Sequence, residues 1–371
     1  MVPEPGLTAA QDHGQPGVPP QPPVPAGQGY PWPPAATGPQ PPPYPWPGGG
    51  SVTWPPPPSR PEALPVLERE YHEFFRAPAF RWWKPLLSLL MFVATWLAGN
   101  LVLTSLALGY DVATGRTDLS ELTPGSSMAE QLAAVMTPMM FAANNVSLAL
   151  AVPLAGLAAW AVHRQRPRWL SSIAGRFRWG LFWRFILIAA GVLGLSLGAQ
   201  VLLGGGVGEL TWNGDSLFLI VAIVLTTPFQ AAGEEYALRG LATRAIGSWF
   251  TSRRVGLVVA AAVTAVVFMS LHVAEDAWLN GFYLLFAVLA SVMVWRTGGL
   301  EAAVALHVAN NLLGEAFLPF TPIEDVFDRS AGVAGPETLW QMAAVALVAG
   351  LILWQAHRLK LPRSAAPAAP A

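Results

Sequence analysis

The sequence predicts an all-α protein: a polytopic membrane helical bundle of about eight transmembrane helices, preceded by a disordered proline-rich N-terminal tail. Three observations predict it. Hydrophobic residues make up 53% of the 371 residues and charged residues only 12%, about half the ~25% charged share of soluble domains. Mean hydropathy is +0.43. Apolar runs of about 20 residues, enough to cross a hydrocarbon core as a helix, recur through the chain, and Arg and Lys collect in alternate loops between them.

Taken in order, residues 1–61 form the tail. Residues 1–60 hold 21 of the 36 prolines, a composition that favours solvated polyproline II over a packed core. The tail repeats Tyr30-Pro31-Trp32-Pro33 as Tyr44-Pro45-Trp46-Pro47. Such a segment is either a solvated tail or a ligand for a partner with an aromatic groove. Residues 62–84 mix Glu68, Arg69, Glu70, Glu73 and Arg76 with Leu64, Leu67, Tyr71, Phe74 and Phe75. That pattern predicts an amphipathic helix in the bilayer interface, ending in Trp82 and Trp83 as belt residues.

The membrane domain is predicted over residues 85–358. Its spans are placed near 86–108, 139–162, 181–203, 217–238, 255–273, 278–296, 299–318 and 339–357. Arg and Lys fall before the first span, between the second and third, after the fourth, after the sixth and after the eighth, whereas the intervening loops are acidic or nearly free of bases. An even number of spans satisfies this alternation and predicts cytoplasmic N- and C-termini in the cell membrane. Residues 359–371 are predicted to be a disordered C-terminal tail.

Composition also excludes classes. The net charge of −1 supplies no basic stripe for nucleic acid, so the expected surroundings are the lipid bilayer and membrane-associated polypeptide. With no cysteine present, disulfides, thiolate metal sites and a Cys nucleophile are impossible.

Charged side chains inside apolar spans cost about 2.5–3.5 kcal/mol each on insertion scales, so they mark functional sites. Three patterns break the apolar runs: Glu234-Glu235-Tyr236-Ala237-Leu238-Arg239, Phe268-Met269-Ser270-Leu271-His272 and His307-Val308-Ala309-Asn310-Asn311. Residues four apart share a helix face. Glu235 can therefore pair with Arg239, leaving Glu234 on another face as the candidate general base. Phe268 shares a face with His272, and His307 with Asn311. An imidazole can bind a water or a metal, and an amide can donate to an oxyanion. Together these groups suit hydrolysis of an amide by an activated water.

The three patterns, in this order, resemble the EExxxR, FxxxH and HxxxN motifs of the CAAX-processing and bacteriocin-processing (CPBP, or Abi) family of intramembrane endopeptidases. Thr297-Gly298-Gly299-Leu300 is similar to the lead-in before its third motif. The resemblance covers roughly residues 215–318. It implies an intramembrane protease, or metalloprotease, with Glu234 and His272 activating water and His307 and Asn311 stabilising the oxyanion. Glu235 and Arg239 then serve orientation, with Phe268 in support. No cofactor is assigned with certainty: Zn²⁺ held by Glu234, His272 and His307 stays open beside a glutamate-activated water. Glu301 departs from the family pattern and is expected to be solvated near its helix end, and Glu315 is read as a helix-end carboxylate. The competing expectations are a non-catalytic immunity or scaffold protein of the same fold and a proton-coupled transporter. No inverted repeat supports the transporter.

Overall fold

A computed structural model describes residues 62–119, 125–204, 209–323 and 327–368. All the described residues lie in one compact unit, Arg60–Ala371. The expected proline-rich tail and its aromatic repeat lie outside the described residues.

The chain is a helical membrane bundle. Its main helices are α1 (Trp83–Ala113), α2 (Met128–Ala134), α3 (Pro138–Ala149), α4 (Ala151–His163), α5 (Arg168–Ser171) and α6 (Trp179–Leu203). They continue as α7 (Ser216–Glu235), α8 (Thr243–Gly247), α9 (Arg253–Leu271), α10 (Ala277–Thr297), α11 (Glu301–Gly314) and α12 (Thr338–Arg358). Two joints make longer spans from shorter pieces. Pro153 lacks the N–H that would bond the carbonyl of Ala149, and the helix accordingly breaks at Leu150, so that Pro138–His163 crosses in two segments. A π-helical stretch, Tyr236–Ala242, joins α7 to α8, giving a continuous span Ser216–Gly247.

Seven helices among the described residues are long and apolar enough to cross a membrane. The eighth expected span, 299–318, is the 14-residue helix α11, about 21 Å long at 1.5 Å per residue and thus shorter than the ~30 Å hydrocarbon core. Residues 301–309 are all buried. Ala302, Ala303, Ala305 and Ala309 let α6, α7 and α10 close around α11, since small side chains permit close backbone approach. Burial on every side places this helix inside the bundle.

The loop ends separate as the alternation of basic and acidic loops requires. At one end, Tyr71 Oη donates to the Leu170 carbonyl at 2.5 Å, Arg76 to Ser248 O at 2.9 Å, and Arg296 to Leu361 O at 3.2 Å. At the other, Arg116 pairs with Asp215 at 2.9 Å, Ser216 Oγ donates to Pro319 O at 2.6 Å, and Glu275 N to Arg329 O at 2.9 Å.

Two expected segments differ. Residues 62–84 are not an amphipathic helix: they form a two-residue strand β1 (Arg69–Glu70) and a 3₁₀ turn (Tyr71–Glu73) before α1 begins at Trp83. Pro65 and Pro78 interrupt helix formation. Tyr71, Phe74 and Phe75 turn into the bundle instead of lying on it, and Phe75 stacks on His163 with ring centroids 3.7 Å apart. Nor do residues 359–368 form a free tail. Ser364–Ala365 (β2) pairs antiparallel with β1, and Ala368 N bonds the Pro65 carbonyl at 3.1 Å.

Candidate active site

The three motifs meet around α11. On α7, Gly233 lies so close to α3 that a Cβ would come within 1.9 Å of the Leu148 carbonyl oxygen. Only a residue without a side chain fits there. The next two residues are Glu234 and Glu235. Glu235 is fully buried and accepts from Arg239 Nη1 at 3.1 Å and from His307 Nδ1 at 2.8 Å. Glu234 faces the other nitrogen of the same imidazole, with Nε2 and Oε2 3.9 Å apart, and keeps 15% of its side chain exposed. The His307 ring is therefore bracketed by two carboxylates, one bonded to it and one standing off.

The π-helical stretch follows directly, and within it Arg239, one turn beyond Glu235, is completely buried. Such bulges alter helical register and recur at functional sites. The Arg239 guanidinium lies 4.5 Å from the Phe268 ring centre, and its Nε and Nη2 have no hydrogen-bond partner among the described residues. A cation over an aromatic face recovers part of the interaction with water that burial removes. Phe268 is the hub of the site: its ring also meets His272 at 4.5 Å, His307 at 5.8 Å and Phe286 at 5.8 Å between centroids.

His272 caps the C-terminus of α9, stacks on Tyr283 at 3.9 Å and bonds the Phe268 carbonyl through Nδ1 at 2.7 Å. A carbonyl only accepts, so Nδ1 carries the proton and Nε2 of the neutral ring is an acceptor. Among the described residues no direct bond joins His272 to Glu234; His272 meets Phe268, which meets His307, and His307 stands 3.9 Å from Glu234. Asn311 donates to Gln230 Oε1 at 3.0 Å, and Gln230 in turn donates to Glu234 Oε1.

A fourth span over 217–238, as hydropathy places it, would put Glu234 at its inner end. The span instead runs on to Gly247. That leaves Glu234 about 20 Å from the basic end of its helix, while His272 sits about 28 Å from the start of α9. The two side chains nevertheless converge on one ring: Glu234 stands 3.9 Å from His307 Nε2, and His272 meets Phe268, which meets His307.

Four site residues carried little or no sequence signal. Gln230 precedes Glu234 by one turn and could have been found from that spacing. Thr227 donates to Glu315 at 2.6 Å and also accepts from Asn145 at 3.1 Å, which ties the helix-end carboxylate to α7 and α3. Tyr283, on α10, had no pattern to mark it. Glu301 is a correction: far from being solvated, it is fully buried and takes three bonds from Arg178, at 2.8, 2.8 and 2.6 Å.

As ligands, Glu234, His272 and His307 do not fit Zn²⁺ as they stand. Each histidine bonds through Nδ1, which leaves its Nε2 open to a ligand, but among the described residues no three His, Asp or Glu side chains gather closely enough to hold a metal ion.

A comparison with protein families places the motifs in context. Residues 215–313 match the family described as Type II CAAX prenyl endopeptidase Rce1-like. That segment is a Rce1-like domain of the CPBP family. The Rce1-like domain opens at Asp215, the N-cap of α7, and closes at Leu313, one residue before the end of α11. It therefore contains all three motifs together with Gln230 and Tyr283, while Asn145, Arg178 and Glu315 lie outside it. Compared with curated proteins and with solved structures, the chain gives no significant match.

Proposed function

We propose that the protein is an intramembrane endopeptidase that hydrolyses a peptide bond of a membrane-associated polypeptide with a water activated by Glu234. The observation that carries this reading is the His307 ring held between two unequal carboxylates. Its Nδ1 proton goes to Glu235, which Arg239 already holds, and its Nε2 stands 3.9 Å from Glu234. That gap is too long for a direct hydrogen bond and short enough for one water to bond both groups.

In the proposed reaction, Glu234 takes a proton from this water as its oxygen attacks the scissile carbonyl carbon. The tetrahedral oxyanion is met at the same place by the His307 ring and by the Asn311 amide once substrate displaces it from Gln230. Collapse breaks the C–N bond, and the proton on Glu234 passes to the leaving amine. Arg239 and Glu235 keep the imidazole fixed, and His272 supplies a second acceptor near the water. A low-dielectric surrounding strengthens each of these interactions.

The family description names a CAAX prenyl endopeptidase, and the substrate proposed here is accordingly a lipid-modified polypeptide tail held at the bilayer. We place both termini, and the basic end of the bundle, on the cytoplasmic side of the cell membrane. The test is a comparison of membrane proteomes from cells producing the wild-type chain or the Glu234→Ala, His272→Ala or His307→Ala variants. An uncut precursor should accumulate in all three variants and its fragment only with the wild type. A fragment produced equally by any variant overturns the assignment and favours a non-catalytic scaffold.

A further inference from the structure

At the basic end of the bundle, outside the candidate active site, a cavity of about 430 Å³ is lined by Glu70, Arg253, Arg254, Leu257, Trp295 and Arg363. Three guanidiniums thus share one hollow with a single carboxylate. Arg253 is already engaged, by Glu73 at 3.2 Å and the Glu68 carbonyl at 2.5 Å. Glu70 is partly engaged too, accepting from Trp295 Nε1 at 3.0 Å. Arg363 lies 4.9 Å from the Trp295 ring centre, and neither it nor Arg254 has a carboxylate partner among the described residues. The hollow is left with unmatched positive charge and with guanidinium forks shaped for phosphate oxygens.

The surroundings specify what kind of anion fits. Arg253 opens the span α9, Trp295 stands at the last turn of the span α10, and Arg363 follows the end of the span α12. All three therefore lie at the level where lipid headgroups meet a bundle. Arg254 and Val258 are one helical turn apart on α9, and Val258 is 64% exposed, so an ion on Arg254 would have an apolar strip running inward beneath it. Basic pockets between membrane helices at this level hold anionic headgroups.

We propose that this cavity binds the phosphodiester headgroup of an anionic phospholipid, with Arg254 and Arg363 as its principal ligands and the acyl chains along the Val258 face of α9. The site stands independently of the catalytic reading. Native mass spectrometry of the full chain, released from detergent with phosphatidylglycerol or with phosphatidylcholine of identical chains, tests it. Phosphatidylglycerol should be retained preferentially, and the Arg254→Gln/Arg363→Gln double variant should bind it about 25-fold more weakly, roughly fivefold per arginine. Glu70→Gln, which removes the opposing carboxylate, should tighten binding, an outcome that misfolding cannot produce. Equal retention of the two lipids, or unchanged binding by the double variant, overturns the proposal. So does saturation by millimolar inorganic phosphate as tight as by the lipid, which assigns the site to the free ion, or tighter binding of an acidic peptide.

Discussion

Glu235 and Glu234 are adjacent in sequence, and their fates diverge by one helical step of about 100 degrees. The first is locked by a guanidinium and an imidazole, while the second keeps a margin of exposure and a weaker hold on the same ring. This split was legible, because the four-residue spacing from Glu235 to Arg239 is a local property. So were the faces shared by Phe268 with His272 and by His307 with Asn311. What local spacing could not supply was any partner distant in sequence. Glu301 looked solvated because its counter-ion, Arg178, lies 123 residues away, and Gln230 gained meaning only when Asn311 of α11 came to rest on it. The buried Glu301 yields a prediction. Glu301→Ala strands Arg178 beside Thr297 and Gly299, and removing one partner of a buried pair costs about 3–5 kcal/mol. Thermal unfolding in detergent should fall markedly in that variant, and an unchanged midpoint would mean that Arg178 finds water instead.

Hydropathy located the helices well, because burial in lipid demands runs of a fixed length. It misjudged elements whose surroundings are protein. Helix α11 is short because it touches helices on every side, and residues 62–82 are a strap because their aromatics find a cavity between helix ends. The π-helical stretch was invisible, since a one-residue change of register leaves composition untouched. At the contact of α3 and α7, Gly233 is the residue on which the placement of Glu234 rests. Gly233→Ala puts a methyl carbon against the Leu148 carbonyl, and overpacking of this kind costs about 1–3 kcal/mol. The variant is expected to lose stability by that amount and to lose most of its cleavage activity through displacement of Glu234. Wild-type activity in Gly233→Ala would show that α3 and α7 can separate without moving the site.

Across the whole molecule, the strap formed by β1, the 3₁₀ turn and β2 ties both ends of the described chain to the basic end of the bundle. His72 is the titratable group at its centre. Its Nε2 faces the Arg253 carbonyl at 3.0 Å, and its Nδ1 lies 3.8 Å from Glu70. Burial holds this imidazole below its ordinary value of 6.5, against the opposing pull of Glu73 and Glu70. The folded state then binds fewer protons than the unfolded state as pH falls through that value, so His72 subtracts stability on acidification, by at most ~1.4 kcal/mol per pH unit. Unfolding midpoints should drop between pH 7.5 and pH 5, and His72→Gln should flatten the slope. An unchanged slope would place the pH dependence in other groups.

The same whole-molecule view makes the bundle a frame that brings a carboxylate, an imidazole and an amide from α7 and α11 to one point inside the membrane, with α9 adding a second imidazole. The measurement that bears on this most directly is cleavage of a membrane-tethered precursor by the purified protein in liposomes, wild type against Glu234→Gln. The account predicts a loss of at least about 100-fold, the scale of general-base catalysis, with an unaltered unfolding midpoint. Cleavage by Glu234→Gln at the wild-type rate would contradict it.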